Sequence, residues 1–171
     1  MLETRSLEVV MSEIARNDEM YTPSFLIEAA RDVMGSIDLD PASCEVANRT
    51  VKADRFYTKE QNGLDKTWAG NVWLNPPYSR GNMLPFSERF VFDPVRNGTM
   101  ICNAMTSTRW FQLLCRKCEC MCILSKRISF IDSKTMEPKK GNDRSQVVFF
   151  RGVEWMRFKA VFAKYGHTVL L

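Results

Sequence analysis

Val72-Trp73-Leu74-Asn75-Pro76-Pro77-Tyr78-Ser79 is the stretch from which the fold of this chain can be read. Val72 to Leu74 is apolar throughout and includes a β-branched and an aromatic residue, which predicts a short buried strand. Two consecutive prolines end it. Neither carries an N–H, and Pro77 keeps Pro76 out of the α region, so the chain leaves the sheet extended and stiff. An amide and a phenol are thereby presented from a rigid turn at the carboxyl end of a strand, where open α/β sheets bind ligands.

Upstream, Ile37-Asp38-Leu39-Asp40-Pro41 predicts a second strand, delivering a carboxylate at its end before a turn through Pro41, Ala42 and Ser43. A carboxylate there suits a ligand ammonium; an ordinary Asp-Pro turn is the alternative. Asn62-Gly63-Leu64 offers an amide suited to an adenine amine, or simply an Asn-Gly turn. Phe56, Tyr57 and Trp68 are expected in the core. Before them, Thr22 reads as the N-cap and Pro23 as the first residue of a helix through Phe25, Leu26, Ala29, Ala30 and Val33, closed by Gly35.

Leu7, Val10, Met11 and Ile14 recur at helical spacing and predict an amphipathic N-terminal helix. It packs either on the domain or on a second subunit, so a homodimer stays open. Downstream, Phe86, Phe90 and Val91 predict a short helix, Met100 to Cys102 a strand, and Thr108 a cap for the helix of Phe111, Leu114 and Cys115. Cys120 to Leu124 is another strand. Arg127 to Ile131 and Gln146 to Phe150 are expected to pair as a hairpin, with Lys134, Lys139, Lys140 and Arg144 on the intervening loop. A basic loop on the same rim as Tyr78 suits phosphate contacts; a solvated hairpin tip is the alternative. Trp155, Phe158, Val161, Phe162 and Tyr165 mark a last helix, and Thr168 to Leu171 a final strand.

At 171 residues and 45% hydrophobic composition, one domain with one real core is the default. The formal net charge of +4 is compatible with a nucleic-acid partner without demanding one. No apolar run approaches membrane-spanning length, and Met1 to Arg5 lacks a signal-peptide core. Six cysteines without an export signal suggest reduced thiols in a cytoplasm. Cys118, Cys120 and Cys122 alternate along a strand, too straight to wrap a tetrahedral ion. With Cys115 they read as small buried hydrophobes, and no metal is expected.

The turn itself suggests a chemistry. An exocyclic amine on a nucleobase is a poor nucleophile because its lone pair is delocalised into the ring. Two acceptors aimed at its N–H bonds favour the pyramidal nitrogen that attacks an electrophilic methyl group. The Asn75 side-chain oxygen and the Pro76 carbonyl supply such acceptors, and Tyr78 a flat surface for an extruded base.

Asn75-Pro76-Pro77-Tyr78 is similar to the catalytic motif of amino-methyltransferases. With Tyr21-Thr22-Pro23, Asp38 to Ser43, Asn62-Gly63-Leu64, Trp68 to Ser79, Thr106 to Phe111 and Arg127 to Phe130, the chain resembles the compact phage-type DNA N6-adenine methyltransferases from about Glu19 to its end. The resemblance implies a Rossmann-like α/β methyltransferase fold, a mostly parallel sheet flanked by helices with a C-terminal antiparallel hairpin. It implies residues 19–171 as a single domain, with residues 1–18 outside the match. It further implies S-adenosylmethionine as methyl donor, adenine in double-stranded DNA as acceptor, and the cytoplasm of a bacterial host, where the methylation would evade restriction. Asn75, Pro76, Pro77 and Tyr78 fall at the catalytic positions. Tyr21, Thr22, Pro23, Asp38, Asp40, Pro41, Ala42 and Asn62 are the expected cofactor residues. Ser79, Arg80, Lys134, Lys139, Lys140 and Arg144 are the expected DNA contacts. The chain departs from the pattern where a Gly-x-Gly loop is usual: Cys44-Glu45-Val46 stands there instead.

Two other readings compete. The same tetrapeptide serves enzymes that methylate guanine in RNA or a glutamine amide in protein. A non-catalytic nucleic-acid-binding relic, with cofactor affinity lost along with the glycines, is the third.

Overall fold

Alternation along the strands settles how the layers are built. Val72 and Leu74 face one side of the sheet and Trp73 the other; Met100 and Cys102 oppose Ile101; Val147 and Phe149 oppose Val148 and Phe150. Two buried clusters result, one on each face. The computed structural model describes residues 20–79 and 81–171, so the N-terminal helix expected on Leu7 to Ile14 and the expected DNA contact Arg80 lie outside the described residues.

Strand β1 (Met20–Tyr21) leads into helix α1 (Ser24–Met34). Strand β2 (Leu39–Asp40), helix α2 (Glu45–Val51) and strand β3 (Arg55–Phe56) follow. A 3-10 turn (Gly63–Asp65) precedes β4 (Gly70–Leu74), α3 (Met83–Phe92) and β5 (Val95–Asn103). Then come α4 (Arg109–Lys117), β6 (Cys120–Leu124), β7 (Ile131–Asp132), β8 (Gln146–Gly152), α5 (Trp155–Phe162) and β9 (Gly166–Leu170). Seven strands form one sheet in the order β3-β2-β4-β5-β8-β6-β9, and β1 pairs separately with β7.

The sheet is mixed, not mostly parallel. Pairings β3-β2, β2-β4 and β4-β5 are parallel; β5-β8, β8-β6 and β6-β9 are antiparallel. The expected hairpin between residues 127–131 and 146–150 does not form. Both edges of β8 are taken by β5 and β6, which leaves Ile131–Asp132 to pair with Met20–Tyr21 instead.

Helices α1 and α5 cover one face through Leu26, Ala30, Val33, Phe158 and Phe162. Helices α3 and α4 cover the other through Phe86, Phe90, Trp110 and Leu114. Cys120 and Cys122 are buried in the first cluster and Cys118 in the second. Trp68 is fully buried, as expected, and its indole N–H donates to the Gly63 carbonyl at 2.8 Å. Among the described residues, no helix is long and apolar enough to cross a membrane.

Two local expectations shift. Helix α1 begins one residue late: Pro23 is the N-cap with extended backbone, φ −63° and ψ 145°, and makes no side-chain cap. Thr22 is thereby released from capping. Helix α2, unexpected in a polar stretch, is capped by Cys44, whose sulfur accepts from the Ala47 N–H at 3.4 Å.

Candidate active site

From β2 the chain turns to β3 on one side, and β4 lies on the other. The carboxyl ends of β2 and β4 thus flank the point where the strand order reverses. A cavity of about 1630 Å³ opens there. Tyr21, Thr22, Asp40, Pro41, Ala42, Asn62 and the whole Asn75 to Ser79 turn line it.

Asn75 sits directly after the last residue of β4, half-buried. Its Nδ2 donates to the Met20 carbonyl at 3.3 Å and to Thr22 Oγ1 at 3.2 Å. A carbonyl can only accept, so the atom facing Met20 is the nitrogen and the amide cannot be flipped. Oδ1 is therefore turned the other way. It is buried and has no hydrogen-bond partner among the described residues. A buried acceptor without a donor costs roughly 1–3 kcal/mol, which a ligand N–H would recover. Pro76 is buried as well, and no hydrogen bond among the described residues uses its carbonyl. Two acceptors in adjacent residues thus stand ready at one wall. The Tyr78 hydroxyl is also buried, and burial pushes its pKa well above the ordinary value of 10 against the opposing effect of the Asn103 backbone, so the ring stays a neutral phenol.

At the end of the neighbouring strand β2, Asp40 is 3% exposed. Burial raises its pKa to about 6, against the opposing effect of the Ala42 N–H, which donates to its Oδ1 at 3.2 Å. The neighbouring Ser43 hydroxyl is buried beside that carboxylate and also works to lower its pKa. A buried carboxylate with a hydroxyl beside it at the end of one strand fits an ammonium and a hydroxyl or carboxylate of one ligand. The pair fits the amino-acid half of S-adenosylmethionine.

A close approach of two backbone segments lies at the cavity wall where a Gly-x-Gly loop is usual. A Cβ on Gly63 would stand 1.9 Å from the Pro41 carbonyl oxygen, so only glycine lets the 3-10 turn close against the β2 loop. Asn62 lines the same wall, but its side chain caps that turn: Oδ1 accepts from Leu64 N–H at 3.4 Å and Nδ2 donates to Asp65 at 2.7 Å.

The family model described as DNA N-6-adenine-methyltransferase (Dam) matches residues 11–166. The chain belongs to the Dam family. The DNA N-6-adenine-methyltransferase of Escherichia phage T1 is 30% identical over 154 residues, covering 79% of this chain. The chain spans 63% of that relative's length. No solved structure gives a significant match.

The Dam match takes in every described strand up to the start of β9, and so the whole cavity. Not every expected residue of this Dam chain reaches it. Asp38 does not. Its carboxylate accepts from the Asn71 N–H at 2.8 Å and from the Ser36 hydroxyl at 2.7 Å, stitching β2 to the start of β4. Pro23 and Lys134 also lie off the lining, Pro23 at the start of α1 and Lys134 on the exposed turn after β7. Lys139, Lys140 and Arg144 do line it, together with Asn142. Ser43, Met20, Asn103 and Gln146 belong to the site too; Ser43 stands in the quoted motif, whereas the other three carry no local signal.

Proposed function

We propose that this chain transfers a methyl group from S-adenosylmethionine to the N6 amine of adenine in double-stranded DNA, inside a bacterial host cell. The observation that carries the proposal is the Asn75 amide, whose nitrogen is tethered by Met20 and Thr22 while its oxygen stays dry and unpartnered. An acceptor held this way, beside the unused Pro76 carbonyl, is suited to a group that brings two N–H bonds.

S-adenosylmethionine supplies an electrophilic methyl group. Asp40 and Ser43 would hold its amino-acid half, in place of the usual glycine loop. Asn75 Oδ1 and the Pro76 carbonyl accept the two N–H bonds of the adenine amine, which favours a pyramidal nitrogen with its lone pair localised out of conjugation with the ring. The nitrogen–carbon bond forms as the sulfur–carbon bond breaks, and the surplus amine proton passes to water, since it becomes acidic only once transfer has begun. Tyr78 stacks on the extruded base. Lys139, Lys140 and Arg144, which line the same cavity, contact phosphates. Most of the acceleration then comes from orientation.

The Dam family match and the phage relative favour DNA as acceptor over RNA guanine or a protein glutamine. The test is transfer of labelled methyl from S-adenosylmethionine to plasmid DNA from a strain lacking adenine methylation, in competition with ribosomal RNA and with a glutamine-bearing release-factor-like protein. Label in N6-methyladenine of the plasmid supports the proposal. Label only in RNA or protein, or no cofactor binding by calorimetry, overturns it.

A further inference from the structure

A second buried amide, Gln146, also lines the cavity and is 1% exposed. Its oxygen accepts from the Ile128 backbone N–H at 3.2 Å and from Asn142 Nδ2 at 3.1 Å. A backbone N–H can only donate, so the atom facing it is Oε1. Nε2 is thereby turned toward β5, where it donates to Asn103 Oδ1 at 3.1 Å. That occupies the oxygen of Asn103 and leaves its Nδ2 as the outward group. Asn103 lines the cavity, and its Nδ2 has no protein partner among the described residues and is not sealed from solvent. The β4-β5 register pairs Leu74 with Met100, so Asn103 lies beyond the end of β4, alongside the Asn75 to Tyr78 turn.

One rim of the cavity therefore holds an acceptor whose direction is set by Met20 and a donor whose direction is set by Ile128. The two anchors are independent backbone groups. We propose that Asn103 is a specificity-determining residue whose Nδ2 donates to the ring nitrogen flanking the reacting amine, with Gln146 as the residue that positions it. The proposal rests on the adenine-methylation reading above.

Base chemistry explains what the pair selects. Adenine offers an amine with a ring-nitrogen acceptor on either side, N1 or N7. Thymine offers a carbonyl next to an N–H, which would set acceptor against acceptor at Asn75. Cytosine carries an amine and one flanking nitrogen but only C5–H on the other side, so a donor on the N7 side also rejects cytosine.

The test is single-turnover methyl transfer by the full chain to duplex oligonucleotides carrying the site mapped in methylated plasmid DNA. The target adenine is replaced in turn by 7-deazaadenine and 1-deazaadenine, each of which keeps the amine. One of the two analogues is expected to slow the unsubstituted protein about tenfold. Asn103→Ala should slow transfer to adenine by a similar factor and show no further loss on that same analogue. Asn103→Asp keeps an oxygen for Gln146 and removes the donor, so it must give the same signature if the alanine variant fails to fold. Gln146→Glu turns Asn103 around without touching substrate, and should likewise lose sensitivity to the analogue. Additive losses, or full activity of Asn103→Ala, overturn the proposal while leaving adenine methylation intact. No transfer to any DNA by the unsubstituted protein overturns both.

Discussion

Thr22→Val separates two roles for one residue. Valine keeps the volume of threonine at a position only 5% exposed, and removes the hydroxyl that accepts from Asn75 Nδ2 at 3.2 Å. The Met20 carbonyl at 3.3 Å remains. Losing one of two neutral hydrogen bonds on the amide costs about 1 kcal/mol of its orientation. At 25 °C that is about fivefold in the rate of the chemical step. If threonine positions the amide, single-turnover methyl transfer should fall about fivefold while S-adenosylmethionine affinity, measured by calorimetry, stays unchanged, and Thr22→Ser should restore the rate. The opposite outcome is equally plain. A collapse in cofactor affinity with an unchanged single-turnover rate would refute the positioning role and return Thr22 to the cofactor, where the sequence pattern alone had placed it.

Asn75→Ala should abolish turnover and leave calorimetric cofactor binding nearly unchanged; appreciable residual methylation would remove the residue from its role. For Asp40, burial raises the folded pKa from 3.8 to about 6, so the folded state holds the proton between those values and the unfolded state does not. Conformational stability should then decline as pH rises from about 4 to about 6, while binding of a ligand ammonium, which needs the carboxylate, should weaken about tenfold per pH unit below about 6. Asp40→Asn should flatten both profiles, and unchanged profiles in urea melts and cofactor titrations would sink the assignment. Gly63→Ala places a Cβ 1.9 Å from a backbone oxygen that cannot move freely; a loss of about 1–3 kcal/mol in thermal or urea unfolding is expected, with weaker cofactor binding. Replacing Lys139 and Lys140 by alanine should weaken DNA binding evenly across sequences and reduce the salt dependence by about one counterion per lysine, with no effect on cofactor affinity.

The turn at Asn75 to Tyr78 was legible from the sequence because its stiffness is local: two prolines after an apolar run leave the backbone few conformations. The Gly35 cap, the Trp68 core position and the Cys120–Leu124 strand were legible for the same reason, each resting on neighbours within a few residues. The buried cysteines followed from strand alternation. Helix α2 was not legible, because its side chains are mostly polar and half-buried and its cap is a cysteine sulfur.

What needed the tertiary structure were the pairings. A strand pattern at Gln146 to Phe150 cannot say whether its neighbour is the preceding segment or β5 and β6, since any of them satisfies the same alternation. The two aspartates of Asp38-Leu39-Asp40 look equivalent in the sequence. Two residues apart, they share a face by alternation, and only what packs against each position separates them: Asp38 is bonded to the start of β4 and Asp40 is buried at the cavity. Above all, the direction of the Asn75 amide is set by groups 53 and 55 residues away. A side chain can be named from local pattern; which of its atoms is free depends on what the rest of the chain brings against it.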